Sequence, residues 1–159
     1  MVTDQLVVIK EEIVNACADL LPVFGIEHRF LCELGESSLN SSEKINIIIG
    51  LTNGVKGNII IGLTKESAKK IISGLRGGKQ IDELKKKELK TLGEFANMLS
   101  SKIIVKLSDR LGKEVNTSLP TIVTGVDTFL LISRAPSRKA FFKLQESKFN
   151  IAYCIEIDK

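Results

Sequence analysis

The chain has 159 residues, of which 43% are hydrophobic and 26% charged, and it carries a formal net charge of +4. This length and composition predict a single domain, residues 1–159, with an ordinary hydrophobic core, and they argue against a disordered or collagen-like chain. No apolar run reaches the roughly 18 residues that span a bilayer, and no basic and apolar leader opens the chain, so we expect a cytoplasmic protein without membrane contact.

The cysteines and the basic residues exclude several kinds of site. Cys17, Cys32 and Cys154 are an odd number, widely spaced and flanked by apolar residues, which predicts reduced, buried thiols and no metal site. The basic residues are mostly lysines, and their densest run, residues 85–87, contains no aromatic residue. This run is typical of a solvated helix face, so we expect no nucleic-acid partner.

The first part of the chain predicts one helix, one strand and a loop. Apolar side chains recur every three or four residues over residues 4–24, which predicts an amphipathic helix interrupted near its end by Pro22. A strand is expected over residues 26–34. The Ser-, Asn- and Gly-rich residues 35–42 are expected to form a loop.

Asn53-Gly54 is the strongest turn signal in the chain. Both residues tolerate positive φ, and they separate two Ile-rich runs, residues 44–52 and 55–63, which predicts an antiparallel hairpin. Thr64 then follows as the N-cap of a short helix. Glycines end this helix, at positions 74, 77 and 78.

The second part of the chain predicts a long helix and several strands. The helix is expected to begin near residues 81–82 and to run to about Leu111, with Gly112 as its stop. Residues 116–125, which include Pro120, are expected to be extended or irregular. Three further strands are expected over residues 128–134, 139–145 and 149–157. An open edge of the last strand could join a neighbouring subunit, or the edge could be covered within the chain.

The order of these elements indicates the fold class. Helices and strands come in grouped runs, which predicts an α+β fold with helices packed on an antiparallel sheet. The two halves also resemble one another faintly, because in each a helix ends in a Gly-containing turn and is followed by strands with a hairpin. We therefore expect a pseudo-twofold architecture.

The long helix carries a polar stripe on its outward side. At about 100° per residue, Glu94 and Asn97 point away from the apolar positions, and Lys90 and Ser101 share their stripe. The apolar Met98, Ile104 and Val105 flank this stripe, whereas the buried seam consists of Leu89, Leu92, Phe95, Ala96, Leu99, Ile103 and Leu107. Polar groups within an apolar rim predict a docking surface.

Conventional catalytic sites are excluded by the residues at hand. His28 is the only histidine, so a Ser or Cys nucleophile has no ordinary base. Residues 74–79 are Gly-rich, but they follow a helix and lack the Gly-Lys-Ser/Thr ending of a phosphate loop. No two carboxylates are paired as acid and base. Any chemistry at this surface must therefore use groups that a partner supplies.

The spacing of Glu94 and Asn97 is not specific by itself, because Glu12 and Asn15 repeat it. The two copies differ downstream. Asn97 is followed by 22 residues and then by Pro120, whereas the equivalent position after Asn15 is a serine. Whether Glu12 and Asn15 have a role stays open.

Glu-x-x-Asn followed at this distance by Pro, within residues 92–99 and at Pro120, resembles the signature of the CheC/CheX/FliY family of bacterial chemotaxis phosphatases. The order and length of the elements are similar over nearly the whole chain. The chain is most similar to the CheX members of this family. That resemblance implies a dimer with one working site in each subunit. The chain departs at Lys90, where the family often has Asp or Ser.

This resemblance implies a CheC-like pseudo-twofold fold and a phosphatase that acts on a phosphorylated CheY-like response regulator. Asn97 would orient the attacking water, and Glu94 would pair with the regulator's lysine. Lys90, Met98 and Ser101 would contact the regulator. No cofactor of its own is expected, Mg²⁺ would lie in the receiver, and a homodimer is expected. The alternative is a non-catalytic receiver-binding or scaffold domain of the same fold.

Overall fold

The structure is a computed structural model, and it describes residues 2–36, 39–41, 45–125, 128–130 and 137–158. In this part of the chain, the helices α1 (Val2–Leu20), α2 (Lys65–Leu75) and α3 (Lys86–Leu111) pack through one hydrophobic core on one face of an antiparallel sheet. The strands are β1 (His28–Glu36), β2 (Leu39–Ser41), β3 (Ile45–Thr52), β4 (Val55–Leu63), β5 (Asn116–Thr117), β6 (Thr121–Thr124), β7 (Thr128–Leu130), β8 (Ser137–Leu144) and β9 (Ser147–Ile157). The α+β prediction is confirmed.

The strand order confirms the predicted pseudo-twofold architecture. The main sheet runs β1-β8-β9-β4-β3, with β5 and β6 both paired to β3, and β2 pairs separately with β7. The hairpins β3–β4 and β8–β9 meet at the centre, where β4 pairs with β9. Strand β1, which follows α1, pairs with β8 of the second hairpin. Strand β6, which follows α3, pairs with β3 of the first hairpin. The two halves therefore exchange their first strands across a central pseudo-twofold axis.

The hairpin predicted at Asn53-Gly54 is present. Both residues have positive φ, 64° and 84°, and the strands on either side pair in register from Ile45–Leu63 to Leu51–Gly57. Alternate isoleucines of β3 and β4 are buried in the core against the helices. The period of two along each strand places these side chains on one face of the sheet.

The helix caps are largely those that the sequence predicts. Thr64 Oγ1 accepts a hydrogen bond from the backbone N–H of Ser67 at 3.0 Å, and the Ser67 hydroxyl accepts one from the backbone N–H of Thr64 at 2.9 Å. At the far end of α3, Gly112 has φ of 64°, as a C-terminal glycine does. The predicted first helix is divided, because a 3₁₀ helix, Leu21–Phe24, follows α1 where Pro22 stands.

The predicted start of α3 at residues 81–82 is wrong. The helix begins at Lys86, because Lys85 is extended and Glu88 Oε1 accepts a hydrogen bond from its backbone N–H at 3.2 Å. The residues before it form no helix, although Ile81 and Leu84 pack against the core. Ile81 and Leu84 are three residues apart, as on one face of a helix, but they reach the core from an extended segment.

The sheet also decides two points about exposure. Of the two alternatives for the C-terminal strand, the structure shows an edge covered within the chain, because β9 pairs with β8 on one side and with β4 on the other. Cys17 and Cys154 are buried as expected, but Cys32 is exposed. It lies on β1, which is the edge strand of the main sheet, so apolar sequence neighbours do not guarantee burial there.

The described strand bounds differ from those predicted by at most two residues, and those of β4 match. The predicted loop 35–42 is wrong in part, because β1 extends to Glu36 and β2 lies within it. Two segments are only partly described. Of the predicted loop 35–42, residues 37, 38 and 42 lie outside the described residues, as does residue 44 of the predicted strand 44–52. Of the predicted strand 128–134, β7 covers the first three residues and the rest lies outside the described part. Within the described ranges, no helix is both long and apolar enough to cross a membrane.

Candidate functional site

A groove of about 830 Å³ runs between the first half of α3 and strand β6. Its α3 wall contains Glu94 and Asn97, and its opposite wall contains Pro120 and Ile122. The remaining lining residues are Lys86, Lys87, Leu89, Lys90 and Gly93. The groove therefore combines hydrocarbon walls with one carboxylate, one carboxamide and three ammonium groups.

Glu94 and Asn97 are both exposed on α3. Their side chains form no hydrogen bond or ion pair with any residue that the structure describes, and the same holds for Lys90. On its other side, α3 packs into the core through Leu92, Phe95 and other buried residues. Rigid backbone with unengaged polar groups is suited to binding an external partner.

The opposite wall is tied to the sheet through Ser118. Its backbone N–H donates to the carbonyl of Gly50 at 2.9 Å, and its hydroxyl accepts from the N–H of Gly50 at 2.8 Å. These two bonds hold the chain just before Pro120, whose ring fixes φ. Pro120 therefore shapes the segment that faces α3 across the groove.

The start of α3 is held by Arg76, which follows α2. Its guanidinium donates to Glu88 Oε2 at 3.0 Å, to Thr91 Oγ1 at 2.9 Å and to the carbonyl of Lys87 at 3.3 Å. The hydrogen bond from Arg76 lowers the pKa of the Glu88 carboxyl below its ordinary value. This network holds the first turns of α3, from which the lysines of the groove project.

The second copy of the motif, on α1, is not a comparable site. Glu12 is only 7% exposed, and its Oε1 accepts hydrogen bonds from Arg110 Nη1 and Asn15 Nδ2, each at 3.3 Å. Its carboxylate thus joins α1 to α3, and the ion pairs Arg110–Glu11 at 3.0 Å and Lys106–Asp19 at 2.8 Å join the same helices. The structure separates two motifs that share one spacing.

The other residues predicted to contact a partner lie close to the groove but do not line it. Ser101 is exposed on α3, one turn beyond Asn97. Met98 and Ile104 are half-buried and pack against the core, whereas Val105 is 60% exposed. The predicted apolar rim is therefore divided between packing side chains and one exposed side chain.

Several groove residues were missed by the sequence analysis. The apolar spacing predicts Leu89 in the buried seam, and the lysine run predicts a solvated face for Lys86 and Lys87. Ile122 lies in the segment that is predicted to be extended or irregular. Gly93 was not considered, although a glycine in the middle of a strong helical pattern was a readable signal. Only the pairing of β6 with β3 brings Ile122 to this helix.

Comparisons with known proteins agree with this architecture. The family model "Chemotaxis phosphatase CheX" matches residues 45–143. The CheY-P phosphatase CheX of Thermotoga maritima is 33% identical over 105 residues, which are 66% of this chain and 67% of the relative.

Solved structures share the fold. A chemotaxis protein CheX from Desulfovibrio desulfuricans superposes with a TM-score of 0.82 at 21% identity, covering 93% of this chain and 99% of that one. A CheX–CheY–BeF3–Mg²⁺ complex from Borrelia burgdorferi gives a TM-score of 0.72 at 18% identity, covering 95% and 97%. The family model covers most of the chain, and the groove carries the Glu94, Asn97 and Pro120 of the motif. The chain therefore belongs to the CheX family of chemotaxis phosphatases.

Proposed function

We propose that this protein hydrolyses the aspartyl phosphate of a CheY-like response regulator, with Asn97 orienting the attacking water and Glu94 pairing with the regulator's active-site lysine. The observation that carries the proposal is that both side chains are exposed in one groove and unengaged by the described residues. The Thermotoga relative is a CheY-P phosphatase, and the Borrelia relative was solved in complex with CheY.

The chemistry needs little equipment from this protein. An aspartyl phosphate is an acyl phosphate, and its loose transition state demands positioning more than a strong base. A carboxamide oxygen accepts a hydrogen from the attacking water and stays uncharged beside the phosphate oxygens. Mg²⁺ held in the receiver would neutralise the phosphoryl charge, so this protein would supply no cofactor of its own.

The partner-binding surface would extend along the outward stripe of α3. Lys90 lines the groove and Ser101 lies exposed beyond Asn97, with the half-buried Met98 beside them. Lys86 and Lys87 add two further positive charges at the same wall. A phosphorylated receiver presents carboxylates and a phosphoryl group, so a lysine-rich rim would attract it at long range.

The test is the lifetime of a phosphorylated receiver with and without this protein. We expect wild type to shorten the lifetime and Asn97→Ala to abolish the effect with the fold retained. Asn15→Ala is the matched control, because Asn15 occupies the same motif position on α1 and should leave activity unchanged. An unaltered lifetime with wild type would remove the assignment.

The same titration separates the proposal from a scaffold. A domain that captures the phosphorylated receiver tightly without changing its lifetime would be a non-catalytic binding module. The presence of Lys90 where the family often has Asp or Ser makes this comparison necessary. Binding must therefore be measured alongside turnover.

A homodimer is also proposed. In the described part of the chain, β1 is the edge strand of the main sheet, and it carries the exposed Leu34. An unpaired edge with an exposed apolar side chain favours association with another strand. Light scattering should give the mass of two chains, and Leu34→Lys should shift it towards one.

A further inference from the structure

Gly93 stands in the interior of α3, directly before Glu94. Glycine is the least favourable helix-interior residue apart from proline, because it loses the most backbone freedom on folding. α3 has 26 residues, and a glycine there needs a reason in packing or in function.

Neither the backbone nor the packing of the described residues requires a glycine at this position. Gly93 is not among the glycines with positive φ, and a Cβ built on it would meet only Ile122 Cδ1, at 3.9 Å, an ordinary van der Waals contact. Gly57 differs, because its Cβ would lie 1.8 Å from the carbonyl oxygen of Cys154. The fold explains Gly57 and leaves Gly93 unexplained.

The position of Gly93 suggests what its missing side chain leaves open. It lines the groove one helical turn before Asn97, so the two residues share a face of α3. Helical side chains lean towards the N-terminus, which directs the Asn97 side chain over the turn that contains Gly93. Space next to the carboxamide is where an attacking water and a phosphoryl group would have to lie.

We propose that Gly93 is a positioning residue, whose lack of a side chain lets the phosphoryl end of a receiver approach the backbone of α3 beside Asn97. The inference rests on the proposed function, since it assigns a receiver to this groove. A methyl group at position 93 is about as large as the water molecule that Asn97 would orient. It would therefore exclude that water, or hold the phosphoryl group away from it.

The test compares stability with turnover. Gly93→Ala should raise Tm by a few degrees, because alanine favours the helix and its Cβ meets no close atom, yet it should lower the rate of receiver dephosphorylation at least tenfold. Gly93→Leu should abolish turnover while circular dichroism shows a folded protein. Asp109→Ala is the control, because it also introduces alanine at an exposed position of α3 but lies outside the groove.

The outcomes distinguish this inference from the proposed function. If wild type shortens the receiver's phosphate lifetime and Gly93→Ala does so within twofold of wild type, the role of Gly93 is refuted and the function stands. If Gly93→Ala lowers Tm, the glycine serves the fold and the inference also fails. If wild type itself has no effect on the lifetime, the proposed function fails and this inference fails with it.

Discussion

Arg110 Nη1 donates a hydrogen bond to Glu12 Oε1 across the interface between α3 and α1, at 3.3 Å. The contact uses the carboxylate that the sequence offers as a second motif, and it lies at the C-terminal end of the helix that carries the groove. Burial and pairing thus decide that one Glu-x-x-Asn copy holds helices together while the other faces outward.

Removing this guanidinium should destabilise the fold. We expect Arg110→Ala to lower the free energy of unfolding by about 1–3 kcal/mol, because the nearly buried Glu12 carboxylate loses its charged partner. Glu11→Ala is the control: Glu11 bonds the same guanidinium at 3.0 Å but is half-exposed, so its loss should cost less than about 1 kcal/mol. Urea unfolding measures both, and equal losses would contradict the argument.

The charge of Glu94 should matter for docking more than for turnover. If Glu94 pairs with the receiver's lysine, Glu94→Gln keeps the shape of the side chain, removes its charge and should raise KM by about tenfold with a smaller change in kcat. Steady-state dephosphorylation of a receiver gives both constants. Glu146→Gln, at an exposed turn outside the groove lining, should change neither. A fall confined to kcat would place Glu94 in the chemical step instead.

The lysine rim should make receiver binding depend on salt. Lys90→Glu places a negative charge at the groove, so we expect association at about 0.05 M salt to weaken by at least tenfold and to lose most of its salt dependence. Lys148→Glu makes the same change in net charge at an exposed residue outside the groove. Fluorescence titration with a receiver measures the affinity of both variants. Equal losses of affinity would show that only the net charge of the protein matters, and not the position of the lysines at the groove.

The Arg76–Glu88 pair should add a pH-dependent part to stability. The pKa of the Glu88 carboxyl is lowered in the folded protein, so the stabilisation by this pair is fully present above the ordinary pKa of 4.5. The stabilisation is lost as the pH falls through the lowered pKa. The Tm difference between wild type and Glu88→Gln should therefore be larger at about pH 7 than at about pH 3. Glu83→Gln, in an exposed ion pair with Lys85, should show almost no difference. A gap that stays constant with pH would contradict the pairing.

The exposure of Cys32 is open to direct labelling. Cys17 is fully buried, and desolvation raises the pKa of its thiol, while Cys154 is buried on β9. A thiol reagent should therefore modify Cys32 alone in the folded protein, since reaction requires an accessible thiolate. Cys32→Ser should abolish the fast reaction of the folded protein with the reagent, whereas Cys17→Ser should leave its rate unchanged. Fast reaction of a second thiol would contradict the burial of the core cysteines.

Local patterns predicted most of the elements because their causes are local. The Asn53-Gly54 turn, the Thr64 cap and the Gly112 stop depend on backbone conformations that neighbouring residues determine, and all three are present. The start of α3 was misplaced, because the apolar residues before Lys86 pack against the core from an extended segment. The sequence left the position of β9 in the sheet open, because strand order depends on contacts between residues distant in sequence.

The sequence by itself determined the α+β class, the outward stripe of α3 and the family resemblance, since periodicity and motif spacing are properties of the chain. Only the tertiary structure decided that Glu12 is sealed by Arg110, that Pro120 and Ile122 face Asn97, and that Gly93 leaves space beside it. Each of these depends on which strand lies beside which helix. Burial, pairing and open volume arise between segments that only folding brings together.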